Sequence, residues 1–422
     1  MSNTPVLITG SAVCSFVFAA GTLFQTAGID SESEHLPGSR PTIQANQFES
    51  LQAAFDALPP DGGKVVLPAG TFEITTPIVV TQQDVLIQGC GTASHIRNIN
   101  TDGKPGLVLR PSVDRSNAGE LQWRVTLSDF RLSGNKQSGH GILATDVNEL
   151  YINGVTVTGN GGDGIHLDHA YEDPRVCNSL ITYNKGTGLY LTRCHDIVVS
   201  ANQFEENQDA VRCLDSYNLC MTGNNLDDHL GDGVVIEYTY GSVLSGNMIE
   251  ECQGTAVVLD RDCYGITLSA NVIAHNNSGG IDLCDAHGCA VTGNTFTLVR
   301  RDALRIGPMS GRITVTGNNF SNSFLGTDGE KLQKNEEPAS GLVLEGTNSV
   351  TVCGNVFAGL STAAVSGGLP SQHVVFAGNV IDDVVGEFVD HRSISGVVTD
   401  NLYVPQTDIQ DGRQQGSTGG GR

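Results

Sequence analysis

The sequence predicts an all-β fold: a single-stranded right-handed parallel β-helix, a solenoid of coils of about 22–25 residues with a capping helix at its N-terminal end. Three observations predict it. An asparagine recurs at Asn153, Asn178, Asn202, Asn224, Asn247, Asn271, Asn294 and Asn318, in steps of 22–25 residues, and the run resumes at Asn355, Asn379 and Asn401. A second motif keeps step with it. This is a short apolar strand opened by Gly or Ala, as in Gly164-Ile-His-Leu-Asp168, Gly188-Leu-Tyr-Leu-Thr192, Gly233-Val-Val-Ile-Glu237 and Gly280-Ile-Asp-Leu-Cys284. The third is composition: 52 glycines and 16% charged residues suit many short strands and tight turns.

A period of this length holds three short strands and leaves no room for a helix in each repeat. One repeat cannot bury its apolar face alone, so the repeats must stack. Leucine-rich frames are absent, and a propeller blade needs nearly twice the length. The asparagines suit tight turns, because Asn tolerates left-handed dihedrals and its amide can bond the next coil. They are therefore read as a structural row, with Asn224, Asn247, Asn271, Asn294 and Asn318 in one line.

Taken in order, residues 6–24 are apolar and uncharged, and read as a signal or anchor segment within residues 1–27. Residues 28–41 are polar, carry Pro37 and Pro41, and read as a linker. Residues 47–58 form an amphipathic helix with Phe48, Leu51, Phe55 and Leu58 on one face, ended by Pro59-Pro60. Gly62-Gly-Lys-Val-Val-Leu-Pro-Ala-Gly-Thr-Phe72 follows, then Val85-Leu-Ile-Gln-Gly-Cys-Gly91.

That entry resembles the N-terminal part of the pectate-lyase-like β-helix superfamily, and with the repeats the resemblance covers residues 42–404. It implies that the helix caps an otherwise sticky sheet edge. It implies action on polysaccharides without choosing a reaction, since the superfamily holds lyases, hydrolases, epimerases, fructotransferases and adhesins. Between Asn318 and Asn355 the step widens to 37, and the extra residues make a polar loop at 321–338. Residues 405–422 are rich in Gly, Gln and Ser and read as a disordered tail.

The net charge of −23 argues against nucleic acid as a partner, and against a polyanion unless arginines or Ca²⁺ intervene. Eleven cysteines is an odd count. Cys194 and Cys263 share a register three coils apart, too far to bridge, so the cysteines read as small core residues. The His and Cys spacing offers no metal-ligand set, and no cofactor is expected beyond Ca²⁺ in a lyase.

In the Gly-opened strands alternate residues point inward, so the others form two outward columns. The first runs His166, Tyr190, Arg212, Val235, Val258, Asp282, Arg305; the second runs Asp168, Thr192, Leu214, Glu237, Asp260, Cys284, Gly307. Column neighbours lie about 4.8 Å apart. Glu237 against Asp260 is a like-charge contact that calls for a use. Asp163, Asp209, Asp232 and Asp302 precede the strands and read as turn formers.

This face suggests a glycoside hydrolase or glycosyl-transferring enzyme with Glu237, Asp260 and Asp282 as catalytic carboxyls. His166, Asp168, Tyr190, Arg212 and Arg305 would then contact substrate, with Asp168 orienting the His166 ring. A second reading is a uronate lyase or C5-epimerase, with His166 or Tyr190 as base and Arg212 or Arg305 facing the substrate carboxylate. A third is an exported, non-catalytic glycan-binding β-helix. All three take an oligo- or polysaccharide as partner outside the cytoplasm, and self-association stays open. Gly139-His140-Gly141 lies a coil too early for the acidic centre, and Asp173-Pro174-Arg175 is a poor match to the Asp-Pro-His motif of alginate epimerases.

Overall fold

Each repeat contributes one strand to each of three parallel sheets, of 17, 14 and 12 strands, through about 14 right-handed turns. The computed structural model describes residues 36, 38–112, 120–321, 339–385 and 388–404. The apolar stretch at 6–24, all but the first residue of the 321–338 loop and the tail from 405 lie outside them. Among the described residues no helix is long and apolar enough to cross a membrane.

The Gly-opened strands form the 12-stranded sheet. Their inward residues stack coil upon coil in parallel register: Ile165 on Leu189, Val211 on Val234, Ile281 on Leu304. All six are buried. The core also holds a file of rings, Phe296, Phe320 and Phe357, stacked at 4.7 Å centroid spacing.

The asparagine row holds and is longer than the five positions expected. From Asn202 to Asn401, each Nδ2 donates to the Oδ1 of the next at 2.9–3.0 Å. The glycine before most of them has φ near +65°, as at Gly223 and Gly293, where a side chain would be strained. The row begins differently from the sequence reading. Asn178 is itself left-handed and bonds Asn153 outside the row. Ser179 takes the row position, its N–H donating to Asn202 Oδ1. Counting asparagines alone placed the first two rungs out of register, because a serine hydroxyl serves the same turn.

A second row runs through Asn160, Asn184 and Asn207, with 2.8 Å amide bonds. His229 occupies its next rung, fully buried, its Nδ1 accepting from Asn207 N–H at 3.2 Å. Burial pushes its imidazole down from 6.5 to about 4. The unfolded chain therefore takes up this proton first as pH falls. Stability is full above pH 6.5 and declines towards pH 4, by about 3 kcal/mol in all. His229→Asn should extend the amide row by one rung, up to Cys252, and flatten that slope. Melting temperatures of both proteins at pH 7 and pH 4.5 test this, and an unchanged slope in the variant would contradict it.

The capping helix is shorter than expected. It spans Leu51–Asp56 because the Ser50 hydroxyl caps it, accepting from Ala53 N–H, and a 3₁₀ turn at Ala45–Gln47 precedes it. Leu51, Phe55 and Leu58 are buried as the pattern requires. Gln52 closes the edge of the first strand of the 12-stranded sheet. Its amide donates to Val79 C=O at 3.0 Å and accepts from Val79 N–H at 2.8 Å, as a neighbouring strand would. The ten described cysteines are all free, and six are buried.

Candidate functional site

The outward columns stand in the register read from the sequence: His166 beside Tyr190, Tyr190 beside Arg212, Glu237 beside Asp260, Asp282 beside Arg305. Side-chain contacts divide them into two groups.

The first group centres on Asp163. This aspartate is a turn residue as expected, its Oδ1 accepting from Thr187 N–H of the next coil at 2.8 Å. Its other oxygen faces two rings, with His140 Nδ1 at 3.1 Å and His166 Nδ1 at 3.2 Å. Burial opposes its charge, but the two histidines and the Thr187 N–H outweigh burial and hold the carboxyl well below the usual range. The His140 and His166 rings meet edge to face at 5.0 Å, and His166 lies 4.8 Å from Tyr190.

Two expectations change here. Asp163, and not Asp168, faces His166. Asp168 is drawn the other way, to the Arg193 guanidinium and to Thr192 Oγ1 at 3.0 Å. A strand puts residues 166 and 168 on one side but about 6.6 Å apart, whereas the turn folds Asp163 back onto His166. His140, read as a coil too early, packs directly on His166.

The second group centres on Arg212. Its guanidinium bridges Asp209 Oδ2 and Glu237 Oε2, each at 3.0 Å. Arg261 reaches Glu237 Oε1 at 3.1 Å. The like-charge contact of Glu237 with Asp260 is therefore answered by two arginines. Arg305 pairs with Asp282 at 3.3 Å. The Asp260 carboxyl has no hydrogen-bond or ion-pair partner among the described residues, while its backbone carbonyl accepts from Tyr238 N–H and Cys263 Sγ. Asp209 and Asp232 also bond the next coil, accepting from Asp232 N–H and Thr255 N–H.

Arg193 and Arg261 were missed in the sequence. They follow the second column at a corner where His169, Arg193, Asp215, Tyr238 and Arg261 all take φ between 47° and 60°. Such a conformation is uncommon without glycine. The signal was present as a fixed offset after the Gly-opened strands, but it names no chemistry by itself.

Burial raises the Tyr190 phenol above its ordinary range, against the pull of Arg212, so it stays protonated at neutral pH. His140 Nδ1 lies 3.0 Å from Asp163 N and 3.1 Å from Asp163 Oδ2. Donor atoms of His140, Asp163 and His166 lie within 4.8 Å of one another. For His166, Nδ1 faces the carboxylate without an aligned hydrogen bond, and Nε2 lies 3.5 Å from Thr192 Oγ1. This is a half-buried imidazole facing a carboxylate, beside a phenol.

Fold and site together define a right-handed parallel β-helix with a cluster of acid–base side chains on one sheet. The model of the right handed beta helix region matches residues 85–242 and 140–296, together half of the chain, and the chain belongs to this family. Solved structures of similar fold include tailspike protein 3 of bacteriophage CBA120, at TM-score 0.55 and 14% identity over 84% of this chain and 62% of that one. The A-module of Azotobacter vinelandii mannuronan C-5 epimerase AlgE4 aligns at TM-score 0.52 and 15% identity, over 86% and 100%. The catalytic unit of a GH87 α-1,3-glucanase from Streptomyces thermodiastaticus aligns at 0.51 and 16%, over 87% and 70%. At these identities the likeness is one of fold. No curated protein matches the sequence.

Proposed function

We propose that the protein acts on a uronic-acid polysaccharide lying along the 12-stranded sheet, outside the cytoplasm, and moves a proton at the sugar carbon beside the carboxylate. The observation that carries this reading is the seat of His166, with Nδ1 3.2 Å from the Asp163 carboxylate and its ring 4.8 Å from Tyr190. A proton on Nδ1 facing Asp163 leaves the Nε2 lone pair to take the C5 proton. The electron pair left on C5 delocalises into the substrate carboxylate, whose growing charge Arg212, two coils along the same column, would balance. Tyr190, kept protonated by burial, returns a proton. Delivered to the departing 4-oxygen, it completes elimination and leaves an unsaturated uronate. Inversion instead needs the proton delivered to C5 from the face turned away from the sheet, where solvent would supply it. The arginines also answer the objection from net charge, since they line the part of the surface the substrate would cover. That one of the structures of similar fold is named a mannuronan C-5 epimerase agrees with the reading without carrying it.

Hydrolysis is the second reading, and one observation favours it. Asp260 is the predicted catalytic carboxyl that keeps no partner among the described residues, while Glu237 and Asp282 are taken by arginines. Incubation with a panel of neutral and uronic-acid polysaccharides separates the two. New ultraviolet absorbance from unsaturated uronates, or an altered C5 configuration without chain cleavage, is the expected outcome. New reducing ends with neither change would transfer the chemistry to Asp260.

A further inference from the structure

One corner beyond the site, a row of aromatic side chains climbs the solenoid: Tyr171, His195, Tyr217, Tyr240, Tyr264 and His287. Their backbones are in register, Tyr217 with Tyr240, Tyr240 with Tyr264, and Tyr264 with His287. Two steps stack face to face, Tyr171 on His195 at 4.9 Å and 11° and Tyr217 on Tyr240 at 5.7 Å and 17°, while His195 meets Tyr217 edge to face at 5.8 Å and 61°. Even so, Tyr171, Tyr217 and Tyr264 are 39–46% exposed. Within the stacked pairs the ring faces are used, so the exposed tyrosines there turn ring edges to solvent, and the Tyr240 hydroxyl donates to Asp262 Oδ2.

Ring stacking stabilises neighbouring coils, and that alone would explain such a row if it ran the length of the fold. It does not. The six positions fall in the six coils that carry His166, Tyr190, Arg212, Glu237, Asp260 and Asp282. The same register continues upward as Gly311, Asn348 and Gln372. Below Tyr171, Asn148 takes the place, its Oδ1 accepting from Tyr171 N–H, and Trp123 stands in register beneath Asn148. The solenoid continues upward without the aromatics, so coil stability alone does not account for the row, whose six coils lie within the eight that carry the site from His140 to Arg305.

We propose that this row is a track that holds a linear polysaccharide parallel to the solenoid axis, alongside the reacting segment. Five inter-coil steps make it about 24 Å long. One pyranose of an extended chain advances by roughly one coil, so each sugar would meet one ring edge and one polar atom. That mixture fits a glycan, which presents C–H surfaces and hydroxyls together, better than an apolar helix. The inference deepens the reading of the site as polysaccharide-acting, yet it concerns binding alone.

Affinity electrophoresis through gels containing polymannuronate, polygalacturonate or a neutral glucan tests it without turnover. The full chain should be retarded by at least one of these polymers. Tyr171→Ala/Tyr217→Ala should lose at least ~10-fold in affinity, and Tyr217→Phe, which keeps the ring, should lose less. The melting temperature of each variant separates lost binding from lost fold, and Tyr217→Phe serves if the double variant unfolds. Equal retardation of parent and variants, or none by any polymer, would overturn the track. Tyrosine-dependent binding with no C5 chemistry would leave the track standing and remove the proposed reaction.

Discussion

His166→Ala is expected to lower turnover of the preferred polyuronate by at least ~100-fold, the range typical for removing a general base. The fold should survive, because His166 points outward from a strand whose inward residues, Ile165 and Leu167, are fully buried. Asp163→Asn should show a smaller loss and an altered pH–rate profile. The asparagine keeps an oxygen for Thr187 N–H but removes the charge facing both His140 and His166. Asp260→Asn is the discriminating control. If it is inactive while His166→Ala works normally, the carboxylate reading replaces the imidazole one.

Asn271→Leu is expected to destabilise the fold by at least ~3 kcal/mol, read from denaturant unfolding. Its Nδ2 donates to Leu244 C=O and Asn294 Oδ1, both at 3.0 Å. Its Oδ1 accepts from the backbone N–H and the Nδ2 of Asn247. Leucine fills the space but makes none of these bonds, and each buried group left bare costs about 1–3 kcal/mol. A change below about 1 kcal/mol would mean that the row does not hold the coils together.

Much of this architecture was legible because the period and the two-residue alternation are carried by most coils. The inward pairs, the two outward columns and the asparagine row from Asn202 onward follow directly from them. What escaped was set by turns. Asp163 and Asp209 were read as turn formers, which they are, but each has a second oxygen, and the fold aims those oxygens at His166 and Arg212. The left-handed corner that delivers Arg193 and Arg261 to Asp168 and Glu237 is written as a fixed offset, with no residue type common to it. Carboxylate pairing was legible in the Glu237–Asp260 register, yet which charge answers which depends on side chains reaching across coils, and strand alternation does not encode that reach.

The measurement that bears most directly on the account is proton exchange at the substrate. The protein is incubated with a uronic-acid polysaccharide in D₂O, and deuterium at C5 is read by nuclear magnetic resonance alongside unsaturated-uronate absorbance. The account predicts solvent deuterium at inverted C5 centres, or C5 protons lost into unsaturated products, in either case abolished in His166→Ala. Polyuronates left unchanged, with neutral glycans cleaved to new reducing ends in an Asp260-dependent way, would contradict it.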